Sequence, residues 1–383
     1  MPIYFFLFLA VFGLANFYVF IRGWQVIPPG MGFRPAYAIV YWLAAFSFFA
    51  ARGLVKILPF SIADILEWIG SFWIAAITYL FLVTVIVDAL RALNHFLPFF
   101  PAAIAENYAR AKYATAGVVL GIVALILLFG YINARIPRVT ELELFVDKQA
   151  GELKNLNIAA ASDLHLGTIV GRAWLASAVD KINALSPDIV LLPGDVLDGD
   201  AAVAYRKNHG SELLRIQAHY GVFAVMGNHE YYGGGGAVSS YLAEHNIVVL
   251  RDKSVKIGDS FYIVGREDRS SGRYSGQPRK DLKVMTDALD KRLPVIMMDH
   301  QPYDLHEAAE NGIDLQLSGH THYGQLWPVN YVIRAMYELA WGYKRKGDTH
   351  YYVSSGVCAW GPPVRTTNRS EIVHIRLIFR DGS

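Results

Sequence analysis

Four apolar stretches in the first third of the chain, at residues 3–21, 36–55, 68–90 and 116–134, limit its fold more than any other feature. Each approaches the roughly 20 residues that a helix needs to cross the hydrocarbon core of a bilayer. Four in succession leave no polar face for water, which argues against the amphipathic helices of a soluble core. The first has no charge between Met1 and Ile21, yet it lacks a basic leader and a small-residue cleavage site. It therefore reads as a retained span and not as a signal peptide. Tyr18, Trp24, Tyr37, Trp42, Trp68, Trp73 and Tyr131 gather near the proposed ends, where amphipathic rings anchor helices at the interface. The second span runs into Arg52 and Lys56. Asp88 reads as interfacial, and the connection at 95–101 suits the headgroup layer.

Charge divides the chain in the same place. Residues 1–134 hold seven of the 35 Lys and Arg and four of the 33 Asp and Glu. The expected organisation is an all-α transmembrane bundle at 1–134 and a charged domain at 135–383, in a multi-pass integral membrane protein. An overall charge of +2 gives no reason to expect a nucleic-acid partner. The single cysteine, Cys358, excludes an intrachain disulfide and a thiolate metal cluster. Four spans put both termini on one side of the membrane. Basic residues near the span ends number six for termini inside (Arg52, Lys56, Arg135, Arg138, Lys148, Lys154) and five for termini outside (Arg22, Arg34, Arg91, Arg110, Lys112). So even a balance does not decide the orientation. The uncharged N-terminal tail, easily translocated, tips the reading slightly towards an extracytoplasmic C-terminal domain.

Pro137 ends the last span. Residues 140–146 then alternate polar and apolar as a half-buried strand does. Further apolar runs follow at 156–161, 188–192, 222–226, 247–250, 261–264, 295–298, 315–317, 351–354 and 372–379. Helical patterns lie between them at 171–185, 211–219, 237–245, 281–291 and 304–311. The alternation argues an α/β domain. The glycines at 233–236 are a loop tip, since they lack the Lys-Ser/Thr of a phosphate-binding loop.

Polar clusters stand just after several of the runs: Asp163-x-His165, Gly194-Asp195-x-x-Asp198, Gly227-Asn228-His229-Glu230, His300 and Gly319-His320-x-His322. Strand ends are where α/β sheets bind ligands, so residues distant in sequence can converge there. Carboxylate and imidazole donors without thiolates suit borderline divalent ions such as Mn, Fe or Zn. An Asp can bridge two ions, and Asn228 offers a neutral carbonyl oxygen. Two such ions can clamp a phosphoryl group and generate a hydroxide nucleophile.

In order and spacing these five blocks resemble the full motif set of the calcineurin-like metallophosphoesterases, over about residues 155–375 and not including the apolar stretches. The resemblance implies a four-layer α/β/β/α sandwich with two divalent metal ions. By position, Asp163, His165 and His322 would hold the first ion, Asp195 would bridge, and Asn228, His300 and His320 would complete the second. His229 would not be a ligand; it would stabilise the phosphoryl group or protonate the leaving oxygen. Asp198 would orient a neighbouring group. Glu230 reads as structural. The segment 354–365 also resembles the membrane-anchored branch of the family, and there Arg365, with Asn228, is expected to contact the substrate phosphate. His209, His219, His245, His306, His350 and His374 match no motif and read as structural or surface residues.

Residues 326–343, apolar and aromatic, follow the last block and end in Lys344-Arg345-Lys346, the pattern of a surface that rests on anionic lipid. With the four spans, this favours membrane lipids as partners and a phosphorylated, lipid-linked substrate. The reaction expected is attack of a metal-activated hydroxide on phosphorus, cleaving a phosphoester or pyrophosphate bond. Some relatives of the fold cleave the pyrophosphate of UDP-diacylglucosamine, which is one candidate. The alternative is the same chemistry on soluble nucleotides or diesters, with the spans as an anchor. A non-catalytic membrane scaffold is the third reading, and the complete ligand set opposes it.

Overall fold

The computed structural model describes residues 2–30, 32–55 and 57–380. Lys56, counted above beside the second span, lies outside them. The chain forms two compact units, Met1–Tyr131 with Gly361–Val364 and Ile132–Trp360 with Arg365–Ser383.

Four helices, Pro2–Val26, Phe33–Gly53, Phe60–Phe96 and Tyr108–Arg135, are long and apolar enough to cross a membrane. The third runs 37 residues against the 23 of its apolar stretch. Hydropathy marks only the segment matched to hydrocarbon, whereas backbone hydrogen bonding continues through Asp64, Glu67 and Arg91. Within the first unit, Trp73 Nε1 donates to Asn16 Oδ1 at 2.9 Å and the Tyr41 hydroxyl donates to Asn16 O at 2.8 Å. These two bonds tie side chains of three helices together and satisfy Trp73, Tyr41 and Asn16 Oδ1, as an apolar surround favours. A Cβ on Gly70 would come within 2.2 Å of the Phe48 backbone, so glycine is what allows the second and third helices to close. Asp88 is paired, with Arg22 Nε at 2.7 Å, Arg91 Nη1 at 3.2 Å and the Tyr18 hydroxyl.

The second unit carries twelve strands: β1 (Arg138–Val146), β2 (Asn155–Ala160), β3 (Ile189–Pro193), β4 (Val222–Val225), β5 (Ile247–Val249), β6 (Lys253–Ile257), β7 (Phe261–Gly265), β8 (Val295–Met298), β9 (Leu315–Ser318), β10 (Gly342–Lys346), β11 (Thr349–Val353) and β12 (Glu371–Phe379). They form two six-stranded sheets, in the orders β1-β12-β2-β3-β4-β5 and β10-β11-β9-β8-β7-β6. In the first, β2, β3, β4 and β5 run parallel; in the second, β7, β8, β9 and β11 do. Between the sheets lies an apolar layer from both, including Ile158, Leu191, Val225, Ile263, Met298 and Leu317. The other face of the first sheet packs on Trp174, Leu175, Val179, Val238 and Leu242 of the helices Arg172–Ala184 and Gly235–Glu244. The other face of the second packs on Leu282, Met285, Leu305 and Ala308. This is the four-layer α/β/β/α sandwich.

Every apolar run read from the sequence lies on a strand. Two strands escaped, β6 and β10, the edges of the second sheet. Edge strands are half solvated, and their Lys-Ser-Val-Lys-Ile and Gly-Tyr-Lys-Arg-Lys sequences carry the charges that protect such edges. Three helices are shorter than expected, among them that at 304–311, which is His306–Glu310. The segment at 211–219 keeps only Gly210–Leu213, and that at 281–291 stops as Leu282–Thr286. After Thr286 the tighter bonds Leu289 N→Thr286 O (3.1 Å) and Leu293 N→Asp290 O (3.0 Å) turn the chain towards β8.

Candidate metal centre

The parallel strands of both sheets end together, and the loops that leave them lock to one another. Asp163 N and His165 N donate to Gly194 O (3.1 Å) and Asp195 O (2.9 Å), joining the exits of β2 and β3. Across the sandwich, His300 Nδ1 donates to Pro193 O at 2.7 Å. That bond uses the Nδ1 proton and aims Nε2 at Asp195 Oδ2, 3.1 Å away, where an ion would take the place of an Nε2 proton. Asp163, His165, Asp195, His320 and His322 all adopt left-handed backbone, with φ between 45° and 70°. Non-glycine residues there are strained, and such strain gathers where surrounding structure fixes side chains for function.

Glycine makes the convergence possible. A Cβ on Gly319 would lie 1.9 Å from Ser162 Oγ and 2.2 Å from Asp163 Oδ2. Gly194, at φ +88°, would push a Cβ within 2.5 Å of His300 Nδ1.

The donors fall into two sets. Asp163, His165 and His322 form one, and Asp195, His300 and His320 form the other. His165 Nε2 and His322 Nε2 stand 2.9 Å apart, and His322 Nε2 is 3.4 Å from Asp163 Oδ1. Two ring nitrogens this close could be ligands to one ion. The Asp195 carboxylate faces both sets, at 3.7 Å from His165 Nε2 and 3.1 Å from His300 Nε2. Asn228 Oδ1 is buried without a hydrogen-bond partner, while its Nδ2 donates to the Tyr232 hydroxyl at 3.2 Å.

The electrostatics agree with this reading. Burial pushes His165 and His320 down to about 3 and His322 well below its ordinary range, which keeps these rings neutral as ligands must be. His300 moves the other way: burial opposes its charge, but Asp195 raises it well above the usual value. The two buried carboxylates call for positive charge, which a protonated His300 meets only in part. Two divalent ions supply it, and the orphaned His300 Nε2 and Asn228 Oδ1 are where the second would bond.

The remaining predicted residues separate into different roles. His229 joins a third donor group with His165 and Asp195, yet its Nδ1 lies 2.8 Å from Asp198 Oδ1. Such a pair can hold a proton on the ring while the carboxylate orients it. Burial works against a charged His229, but Asp195 and Asp198 outweigh it and raise its pKa. The Glu230 carboxylate accepts from Gly227 N (2.7 Å), Leu197 N (3.0 Å) and Asp195 N (3.1 Å), and so clamps the exits of β3 and β4.

Arg365 is placed differently from the expectation. It is fully buried, and its Nη2 donates to Ser355 O (2.6 Å) and Cys358 O (2.5 Å) and lies 3.0 Å from His322 Nδ1. With both Nη2 protons on these carbonyls and Nη1 3.5 Å from His322 O, the guanidinium is held inside the loop and braces the backbone that carries His322. The basic run is likewise spent: Lys344 and Lys346 both pair with Glu338, and Arg345 pairs with Asp348.

Sequence reasoning missed Tyr232 and Trp360. Their rings flank His229 with centroids at 5.1 Å and 5.6 Å, and both are about half exposed. The only signal for them was position: Tyr232 stands three residues after His229, and Trp360 lies in the segment read for Arg365.

Comparison with known proteins adds relatives to this geometry. A family model for calcineurin-like phosphoesterases matches residues 156–324. An uncharacterized metallophosphoesterase of Aquifex aeolicus is 31% identical over 229 residues, covering 59% of this chain and 85% of that one. An uncharacterized metallophosphoesterase of Helicobacter pylori is 34% identical over 248 residues, 63% of this chain and 64% of its own. A Danio rerio protein described as a transmembrane protein with metallophosphoesterase domain is 30% identical over 287 residues, 71% of this chain and 64% of its own. The match thus spans a little under two thirds of the last two.

Proposed function

The chain belongs to the calcineurin-like metallophosphoesterases, and on that premise we propose that it is a membrane-bound phosphohydrolase acting on a phosphoester or pyrophosphate bond of a lipid-linked compound. The observation that carries the hydrolase reading is the meeting of two donor sets at Asp195, with the His229–Asp198 pair beside them. When bound, the ions supply Lewis acidity to a phosphoryl group and acidify water enough for it to serve as nucleophile at neutral pH. Asp163, His165 and His322 would hold one ion, Asn228, His300 and His320 the other, and Asp195 both. His229 delivers a proton from Nε2 to the departing oxygen while its Nδ1 stays bonded to Asp198. Tyr232 and Trp360 limit the access of water to that ring.

The lipid half of the proposal is supported by the chain's own apolar helices, four in number among the described residues. The test offers the purified full chain, with Mn or Zn, a panel of phospholipids, UDP-diacylglucosamine, polyprenyl pyrophosphate and soluble diesters, with Asp195→Asn as control. Metal-dependent turnover of a lipid-linked member, lost in the control, is expected. Turnover confined to soluble diesters overturns the lipid half, and turnover of nothing overturns the whole.

We place the sandwich on the extracytoplasmic side. Arg138 pairs with Glu371 at 3.7 Å and Lys148 with Asp314 at 2.7 Å, so these cations belong to a folded domain. Domains cross membranes largely regardless of charge, which removes Arg138, Lys148 and Lys154 from the count. Arg52, Lys56 and Arg135 then oppose Arg22, Arg34, Arg91, Arg110 and Lys112. The larger group lies on connections that fold together, with Lys112 Nζ donating to Gln25 O at 2.9 Å. In intact cells, an impermeant maleimide should label Asp259→Cys and spare Pro29→Cys; the reverse pattern contradicts the assignment. Native Cys358 does not interfere, because burial pushes its thiol up to about 12.

A further inference from the structure

The helix Val329–Met336 is built the wrong way round for a soluble domain. Its inward positions are Asn330 and the half-buried Ile333, with Tyr337 buried just beyond. Its outward positions are Val329, Val332 and Met336, exposed by 41%, 58% and 58%, with Tyr331 at 60% and the preceding Trp327 at 47%. A run of this kind on an otherwise charged domain marks an interaction surface.

Two observations within the second unit identify what covers it. The loop at 365–370 binds the last turn of the apolar helix Tyr108–Arg135 on one side: Asn133 Nδ2 donates to Arg365 O (3.4 Å), and Ser370 Oγ donates to Ala134 O (2.7 Å). The same loop also holds the residue that leads into the exposed helix, with Trp327 N donating to Thr366 Oγ1 at 2.8 Å. The unpartnered apolar face and the emergence of a membrane span therefore share one end of the sandwich. The composition agrees, since Trp and Tyr with Val and Met is what lies in a bilayer interface. The neighbouring basic run is paired with Glu338 and Asp348, so the surface is mainly apolar area with the exposed Arg334 of the same helix among it.

We propose that Val329–Met336, with Trp327, is a bilayer seat: it inserts its outward face among lipid acyl chains and lets a lipid-linked substrate reach the metal centre without leaving the membrane. The helix packs on the turn His322–Gly324, which carries a metal ligand, so a headgroup drawn over the seat arrives at the donors. The delivery part rests on the lipid-substrate reading given above; the seat itself does not.

The test uses the full chain in proteoliposomes, labelled with an environment-sensitive fluorophore at Val332→Cys or, as control, at Asp259→Cys. The Val332 label should emit to the blue of the control and be quenched by brominated phosphatidylcholine. Quenching should be equal in zwitterionic and anionic vesicles and unaffected by salt. Emission matching the control overturns the seat. So does a blue shift that bromolipid leaves unquenched and that grows with the protein-to-lipid ratio, which identifies a second copy as the occupant. In the same vesicles, V332D/M336D should lower turnover of a lipid-linked phosphoester by about tenfold or more while soluble diester turnover stays within about twofold. Equal loss on both substrates overturns the delivery role. Quenching in a chain whose wild type cleaves only soluble diesters leaves the seat standing and removes the lipid-substrate reading.

Discussion

At the scale of single residues, the candidate ligands could be read because their chemistry belongs to the side chain: an Asp or His at a strand end offers a donor atom in any fold. What the sequence hides is commitment. Arg365 looked free for a phosphate, and only the folded loop shows its guanidinium buried against Ser355, Cys358 and His322. Its replacement is therefore expected to act on the metal. Arg365→Lys should weaken metal affinity by about 10–100-fold, as losses of ligand-bracing groups do, and raise KM little at saturating metal. A large KM increase at full metal occupancy would restore the substrate role. His229→Ala should lower kcat by about 10²–10⁴ with bound metal unchanged, the range for loss of a general acid; loss of an ion in elemental analysis would make it a ligand. Away from the centre, His209 is fully buried with both ring nitrogens unpartnered. Burial, aided by Lys207, lowers its pKa to about 4 from 6.5. The unfolded chain then binds that proton more readily, so the neutral ring's contribution is complete above pH 6.5 and drains away as pH falls towards 4. The loss is at most about 3 kcal/mol. Thermal unfolding should show a smaller acid loss for His209→Phe than for the wild type over that window, and parallel curves would contradict this.

At the scale of elements, the core strands and the edges β1 and β5 of the first sheet were legible, whereas the edges β6 and β10 of the second sheet and the order of strands in both sheets were not. Core strands are buried on both faces and read as apolar runs, whereas β6 and β10 face solvent and carry lysines. The helix Val329–Met336 was legible as apolar sequence, but which face points outward depends on where Asn330 packs. Glycine spacing was visible, yet the contact that demands each glycine lies across the fold. Gly319→Ala tests that demand. Its Cβ meets Ser162 and Asp163 well inside contact distance, and neither has room to give. The variant should lose metal and about 1–3 kcal/mol of stability, seen by elemental analysis and thermal unfolding. Retention of both would show that the loop yields.

At the scale of the whole molecule, the division into an apolar and a charged part was readable from composition, because a bilayer and water select opposite residues. The last helical turn, Ile132–Arg135, nonetheless belongs to the sandwich unit: Ala134 sits in its apolar core and Arg135 lies over Trp174 at 5.0 Å. Hydropathy follows solvent and not hydrogen bonding, so it could not draw that boundary. The central claim concerns the chemistry these parts support, a phosphohydrolase that needs two divalent ions. Chelator-stripped full chain, titrated with Mn, should regain turnover of a phosphodiester as bound metal approaches two ions per chain, and Asp195→Asn should regain none. Full turnover in the stripped protein, or full recovery with a single ion, would contradict it.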